Sequence, residues 1–349
     1  MNSTTKKYSP FYTFNFFRAI LICFFLSLYG CNSQEDKKKT ASKEDSNTFD
    51  LRKAQVTPSG YKYSNQDTFK VMTWNVEHFV DQYDDPYINA GREDNPDAST
   101  EEKVSYLVEA LKKEDSDIVL LQEFESTKFL KQIAKDHLKG MGYKFFASAP
   151  SDNWYMNVVV MSKLPLGVLY SYGSATTPVV DYKNEDGLIE TQNKINTRMW
   201  SLEVFPAKDY NFILTGLHLK AGRGERNESM RLGQIQLLKH QFERFITLNS
   251  SQNLLVAGDL NSTLGSKEIK ALKRGENRAN TFIDPLPEDV LTHSVDNPSR
   301  RLDYALFNGN MQDEYVKGSA QIPDLLSTSK MEKISDHFPV VIRFRNTED

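Results

Sequence analysis

Six short apolar runs in this 349-residue chain stop at, or start from, side chains that could bind a metal or a phosphate. VMTWN ends at Asn75, DIVLLQE at Glu123, FILTGLH at His218, and LLVAGDLN at Asp259 and Asn261. RLDYALF opens with Asp303 close to its start, and Ser335-Asp336-His337 stands just before the last apolar run. A carboxylate after a strand is most often a turn former or a helix cap. Six separate places, each offering Asn, Asp, Glu or His, exceed what capping needs. Strand ends in α/β folds converge on one sheet edge, where substrate sites lie. No Cys or His cluster stands at zinc spacing, so this composition suits a hard, oxygen-seeking cation.

The elements that must hold these residues are legible as short β-branched runs alternating with helical patterns. Strands are expected at 69–74, 118–121, 143–147, 158–161, 199–205, 212–217, 254–257, 303–307 and 340–344. Ser99-Thr100-Glu101-Glu102 has capping-box spacing, and Val104, Leu107, Val108 and Leu111 follow at helical intervals. Ile235, Leu238, Phe242 and Ile246 mark a second amphipathic helix within about 229–247. Residues 80–98, 172–196 and 262–300 read as long surface loops that could shape a groove. No composition break divides 67–346, so one layered α/β domain is expected there.

With 39% hydrophobic and 26% charged residues the chain has material for a sizeable core, which excludes low-complexity disorder and a multi-span membrane protein. Forty-three bases against 47 acids leave a net charge of −4. The first 31 residues hold three bases (Lys6, Lys7, Arg18) and no acids, so the remainder carries −7. Whole-surface attraction to nucleic acid is thereby disfavoured, and a local basic patch is not.

Those three bases precede an uncharged run from Ala19 to Tyr29, too short to span a bilayer as a helix, in the layout of a secretory signal. Leu28-Tyr29-Gly30-Cys31 resembles a bacterial lipobox, so residues 1–31 are expected to be a lipoprotein signal with Cys31 as the lipid-bearing residue of the mature chain. The other cysteine, Cys23, lies in the segment to be removed, and no disulfide is expected. Residues 32–66 are polar and read as a flexible tether. Gln34-Glu35-Asp36 is similar to the acidic export signal of surface lipoproteins in Bacteroidetes-type bacteria, with a generic solvated linker as the alternative. The expected location is the envelope of a Gram-negative-type bacterium, anchored to a lipid bilayer, as a monomer.

Trp74-Asn75, Leu121-Gln122-Glu123, Gly216-Leu217-His218, Gly258-Asp259-Leu260-Asn261, Arg301-Leu302-Asp303-Tyr304 and Ser335-Asp336-His337-Phe338-Pro339 together resemble, in order, the signatures of the endonuclease/exonuclease/phosphatase superfamily. This magnesium-dependent group includes pancreatic-type deoxyribonuclease, abasic-site endonucleases, inositol-polyphosphate phosphatases and bacterial sphingomyelinases. The resemblance implies a four-layer sandwich of two packed mixed β-sheets flanked by helices. It also implies a phosphodiester hydrolase working by in-line attack of water with Mg²⁺ or Mn²⁺.

On that resemblance Glu123 is the first choice of metal ligand, with Asn75 and Asp336 beside it. Asp259 would orient or deprotonate the attacking water, with Asn261 pointing to the same face. His337 would contact the scissile phosphate, oriented and held cationic by Asp303. His218 matches a second histidine used as acid or base in deoxyribonuclease-like members. Asn157, Arg198, Lys220 and Arg223 are candidate phosphate contacts. His78, His137, His240 and His293 are read as structural, His78 being the nearest exception because it lies three residues beyond Asn75.

RLDYALF and SDHFPV look most like the nuclease-type branches, so DNA or RNA is the expected substrate. The Trp-Cys-Asp-Arg motif of the inositol-phosphatase branch is missing near Arg301. A phospholipid (sphingomyelinase-like) or small phosphoester hydrolase is the alternative; an apolar, aromatic-tipped loop would favour it, and Tyr83, Tyr87 and Ile88 follow Asn75. A catalytically silent phospholigand-binding lipoprotein is the last reading, disfavoured because every ligand position is filled.

Overall fold

The computed structural model describes residues 61, 63, 66–96, 98–149, 154–192 and 198–346. The signal segment, Cys31 and almost all of the expected tether lie outside the described residues.

The chain builds two mixed sheets. One comprises β1 (Thr68–Phe79), β2 (Ile118–Phe124), β3 (Phe145–Ser148), β4 (Asn157–Ser162) and β13 (Val340–Arg345), in the order β13-β1-β2-β4-β3. The other comprises β5 (Leu166–Ser171), β8 (Met199–Ala207), β9 (Tyr210–His218), β10 (Leu254–Asp259), β11 (Phe282–Ile283) and β12 (Asp303–Asn308), in the order β11-β12-β10-β9-β8-β5. A separate two-stranded ribbon joins β6 (Thr177–Lys183) to β7 (Ile189–Gln192). The helices are α1 (Gly91–Asp94), α2 (Thr100–Glu114), α3 (Thr127–His137), α4 (Glu225–Leu248), α5 (Lys267–Lys273) and α6 (Thr328–Ile334).

Three apolar layers hold four structural layers together. Strand side chains alternate between faces. In the first sheet Val71, Leu120 and Val160 meet Leu202, Leu214 and Leu255 of the second. Met72, Trp74, Val119 and Leu121 point the other way, onto Leu107 and Leu111 of α2, Ile133 of α3 and Met331 of α6. On the outer face of the second sheet Ile213 and Val256 pack under Ile235, Leu238 and Phe242 of α4 and Leu272 of α5. Sheets buried on both faces need near-continuous apolar strands, which is why these runs stand out in the sequence. Each such Leu or Ile contributes about 2 kcal/mol of transfer free energy.

The expected strand runs all lie in or overlap strands, most of them one to three residues longer than expected, with β1 six longer and β3 one shorter. Several local readings are corrected. Ser99 already has helical dihedrals (φ −73°, ψ −6°), so the expected capping box does not form. The segments expected as loops contain α1, the β6–β7 ribbon, α5 and β11. These short elements lack the length for a periodic signal. α3, which a sequence reading passes over, starts from a Ser126 side chain that accepts the Phe129 N–H. No helix among the described residues is long and apolar enough to cross a membrane.

Candidate active site

Strand direction explains why chemistry-bearing residues far apart in the chain share one edge. β1 runs parallel to β2 and β9 parallel to β10, so Glu123, His218 and Asp259 sit at carboxyl ends and Asn75 at the last regular pair before a bulge in β1. β12 is antiparallel to β10 and β13 to β1, so their equivalents are placed at or before strand starts: Asp303 and Ser335–His337. Register sets His218, Asp259 and Asp303 side by side, since Asp259 pairs with both neighbours.

Backbone irregularity aims the first-sheet residues. Between Asn75↔Gln122 and Phe79↔Phe124 three residues of β1 oppose one of β2. In that bulge Glu77, His78 and Glu123 have φ of 43°, 47° and 56°, and Asn261 on the other sheet has φ 48°. Four left-handed non-glycine residues at one site mark strain held by its surroundings. Gly258 is required for a different reason: its φ is +139°, and a Cβ there would lie 1.9 Å from Leu217 O. The glycine of Gly-Asp-Leu-Asn lets β10 approach the strand that ends in His218.

The two halves meet through Asn75. Its Nδ2 donates to Glu123 Oε1 (3.2 Å) and to Asp259 Oδ2 (3.0 Å), while its Oδ1 accepts from Glu77 N (3.1 Å). Glu123 Oε2 accepts from His78 N at 3.1 Å. His218 Nε2 stands 3.8 Å from Glu123 Oε1 and 3.7 Å from Asp259 Oδ2. Asn261 caps the other side, its N–H on Asp259 Oδ1 (2.7 Å) and its Nδ2 on Leu219 O (3.1 Å). His337 Nδ1 pairs with Asp303 Oδ2 at 2.8 Å, leaving Nε2 3.9 Å from Asp259 Oδ2 and 3.6 Å from Asp336 Oδ1. The backbone around His337 is pinned too: Trp74 Nε1 donates to its carbonyl (2.8 Å), and Ser335 Oγ accepts its N–H (2.9 Å) while donating to Asn75 O (2.6 Å).

Burial and charge give the residues different protonation states. Burial pushes Asp259 up to about 7 against the opposing pull of His337, with Asp303 adding to the rise. Burial works against a cationic His337, yet the charge and hydrogen bond of Asp303, helped by Asp259 and Asp336, raise it to about 10. Burial drives His218 down to about 4. Glu123 is held below the usual carboxylate range: burial opposes ionisation, but His218, His78 and the Asn75 and His78 hydrogen bonds outweigh it. At neutral pH Glu123 and His218 are therefore a carboxylate beside a neutral imidazole, and His337 is the cation.

Residues 72–337 match the Endonuclease/Exonuclease/phosphatase family. The chain belongs to this family. Its fold is similar to truncated TDP2 of Caenorhabditis elegans, with TM-score 0.52 and 15% identity over 80% of this chain and 98% of that one. The catalytic domain of human nocturnin with a bound sulfate anion gives TM-score 0.52 and 17% identity over 85% and 99%. A beta toxin 275-280 structure from Staphylococcus aureus gives 0.51 and 13% over 78% and 99%. At these identities the likeness is one of fold. None of the curated proteins matches the sequence significantly. Family membership brings the coarse activity with it, hydrolysis of phosphoester bonds, in a family generally dependent on divalent metals.

The donors in this family member fit a hard cation. Two carboxylates, Glu123 and Asp259, share a single neutral amide between them, a charge arrangement that a divalent ion would balance. Asp336 has a neighbour that the sequence does not announce. Its carboxylate takes His293 Nε2 at 3.0 Å and groups with His293 and His337, their ligand atoms within 4.8 Å of one another. Lys103 lies within electrostatic reach of both Glu123 and Asp336, and burial pushes its ammonium down to about 8.

The candidate phosphate contacts divide. Arg198 is at the site: its carbonyl accepts the His218 N–H (2.6 Å), and Glu123 and Asp259 attract its guanidinium while burial lowers its pKa. Arg223 lines a cavity of about 740 Å³ that also touches Asn261, Lys267, Lys270 and Arg300. Lys220 turns its ammonium onto the neighbouring Ala221 carbonyl (2.9 Å). Asn157 donates to the carbonyls of Glu125, Trp154 and Tyr155, clamping the turn before β4.

Several residues at the site escape a sequence reading. His293 reads as structural in the sequence, yet its Nε2 holds Asp336, its Nδ1 receives Arg300 (3.0 Å), and its ring packs edge-on against His337 at 4.8 Å. His78 hydrogen-bonds Tyr155 Oη (2.7 Å) and stands 3.7 Å from Glu123. Thr292 Oγ1 accepts the N–H groups of Leu302 (3.0 Å) and Asp303 (3.1 Å), fixing where Asp303 enters β12. Neither His293 nor Thr292 ends an apolar run, the signal that marks the others. Lys103 looks in the sequence like one exposed charge in the first turn of a helix.

Proposed function

We propose that this protein is a metal-dependent phosphodiesterase whose substrate is a nucleic acid strand, anchored through a lipidated Cys31 on the outer side of a bacterial membrane. The observation that carries the substrate reading is the 740 Å³ cavity beginning at Asn261, where Arg223, Lys267, Lys270 and Arg300 offer charge to phosphates flanking the scissile one. A chain of net charge −4 concentrates bases where a polyanion would run.

In the mechanism derived from the geometry, Glu123, Asn75 and Asp336 would hold the divalent ion. When bound, that ion supplies charge neutralisation at the phosphoryl group. Asp259, with its pKa near neutrality, accepts the proton of the attacking water. The His337 imidazolium, oriented by Asp303, donates from Nε2 to a phosphoryl oxygen and stabilises the charge growing there. Neutral His218 and Arg198 stand beside these carboxylates, the latter as a second cation.

A phospholipid substrate has one observation in its favour. Tyr83 and Tyr87 after β1 are 80% and 81% exposed, and Ile189 at the ribbon tip is 70% exposed, so apolar side chains project near the domain surface. Plasmid DNA, RNA, sphingomyelin vesicles and bis-p-nitrophenyl phosphate offered side by side with Mg²⁺ separate the two readings. Nucleic-acid cleavage lost with EDTA and in Glu123→Gln, and weakened by Lys267→Ala with Arg300→Ala, supports the nuclease. Turnover of the lipid or small diester with nucleic acid untouched would overturn it. For the location, Cys31→Ser should release the chain from the membrane fraction, and persistent attachment would refute lipid anchoring.

A further inference from the structure

The segment joining β1 to α2 carries five acids between positions 81 and 94 (Asp81, Asp84, Asp85, Glu93 and Asp94) against one base, Arg92. The catalytic chemistry above uses none of them. Three converge: Asp84, Glu93 and Asp94 each place a carboxylate oxygen within 4.8 Å of the other two. Two oxygens bound to one calcium ion at its usual ligand distances are separated by up to about 5 Å, so all three fit around a single ion.

A second feature is independent of this clustering. Glu93 is only 1% exposed, although it belongs to the single short turn α1 between β1 and α2. Its Oε1 accepts the Asp85 N–H at 2.6 Å, whereas Oε2 is buried with no hydrogen-bond partner. A carboxylate oxygen withdrawn from water without a donor is costly, and a cation relieves that cost directly. The surrounding backbone is already turned about the acids: Asp85 Oδ1 accepts from Tyr87 N (3.0 Å) and Asp94 Oδ1 from Ala90 N (3.2 Å). An irregular, all-oxygen cage of this kind suits calcium better than magnesium, which demands near-octahedral geometry and keeps its waters.

We propose that Asp84, Glu93 and Asp94 form a calcium-type binding site, separate from the catalytic centre, that pins this loop beside the active-site edge. The loop is tied to that edge at two points. Asp81 N donates to the side chain of Glu125, two residues beyond Glu123. Arg92, next to Glu93, lies within electrostatic reach of His78 and Tyr155. Fixing the loop therefore steadies both of these attachments. The site stands whether or not nucleic acid is the substrate.

The test is Tb³⁺ titration of the full chain in detergent, read through tyrosine-sensitised emission, with Ca²⁺ as competitor. Tyr83 and Tyr87 stand in the same loop as donors. Glu123→Gln should retain the loop signal. Asp84→Asn, at an exposed position that does not threaten folding, should weaken Tb³⁺ binding by about ten-fold or more, and Glu93→Gln should do the same. Ca²⁺ should slow proteolysis between 81 and 94 in the wild type and not in Asp84→Asn. Unchanged Tb³⁺ affinity in Asp84→Asn, or failure of Ca²⁺ to displace the signal, would overturn the proposal.

Discussion

Replacing Asp303 by Asn tests whether the charge of this residue, apart from its shape, sets the chemistry. The carboxylate and the His337 imidazole are both buried, 2.8 Å apart. With charge centres about 4 Å apart and an effective dielectric of about 20, their attraction is about 4 kcal/mol. At 1.36 kcal/mol per pKa unit that moves the imidazole by about 3. His337 stands near 10 in the native protein, so Asp303→Asn should bring it to about 7, while the amide carbonyl of the substituted side chain still accepts from Nδ1 and keeps the ring oriented. The imidazolium needed to bind the phosphoryl oxygen would then be lost above neutrality. Initial rates of kcat/KM from pH 5 to 10.5 should show the alkaline limb shifting from about 10 to about 7. The loss should reach about 10²-fold at pH 9 and stay small at pH 6. Stability should follow the same sign. The raised pKa of His337 gives stabilisation that is complete below about 6.5 and is lost as pH rises through about 10. The Tm gap between wild type and variant should therefore close across that window. An equal loss of activity at pH 6 and pH 9 would show that Asp303 only positions His337 and would refute the electrostatic argument.

Glu123→Gln should reduce turnover by about 10²-fold or more at saturating Mg²⁺ with the circular dichroism spectrum unchanged; near-normal turnover would remove Glu123 from the site. Gly258→Ala forces a Cβ against Leu217 O at a left-handed φ, so the urea midpoint should fall by the equivalent of about 2–4 kcal/mol, and an unchanged midpoint would show that β9 and β10 can separate freely. Thr292→Val strips the acceptor from two buried N–H groups at about 1–3 kcal/mol each, so Tm should drop by several degrees, and a stable variant would mean that water reaches the Leu302–Asp303 turn.

The sandwich and most of the catalytic edge are legible in the sequence because both rest on strands. A strand buried on both faces reads as an unbroken apolar run, and its abrupt polar end marks the edge. Asn75, Glu123, His218, Asp259 and Asp303 stand out that way. His293 and Thr292 do not, because they lie in an irregular segment with no period, held by contacts from Asp303, Arg300 and Asp336 that only the fold brings near. Asp336 is visible in the sequence, but its partner is not. Its place next to His337 suggests the first sheet's ligands, and its hydrogen bond to His293 has no signal in the sequence. The β6–β7 ribbon and α5 escape for a simpler reason: seven residues or fewer give too little pattern to set against a loop.

The placement of acids on the two sheets explains how one edge can keep several carboxylates with different proton affinities. The first sheet supplies Glu123, held ionised by hydrogen bonds from a bulge that only a positive φ can form. From the second come Asp259 and Asp303 in adjacent strands at the same level, where burial and mutual repulsion would protonate one of them. His337, arriving from the turn before β13, resolves that conflict: it pairs with Asp303, becomes a cation and leaves Asp259 near neutrality. A carboxylate raised to about 7 is thus a consequence of strand register. The arrangement lasts only while the sheets stay packed, since the bonds from Trp74 and Ser335 that place His337 and the Asn75 bridge to Asp259 all cross between segments distant in the chain. Loss of the core between the sheets would release the imidazole from Asp303 and return His337 and Asp259 toward their ordinary pKa values, so catalytic competence and global folding should be lost together.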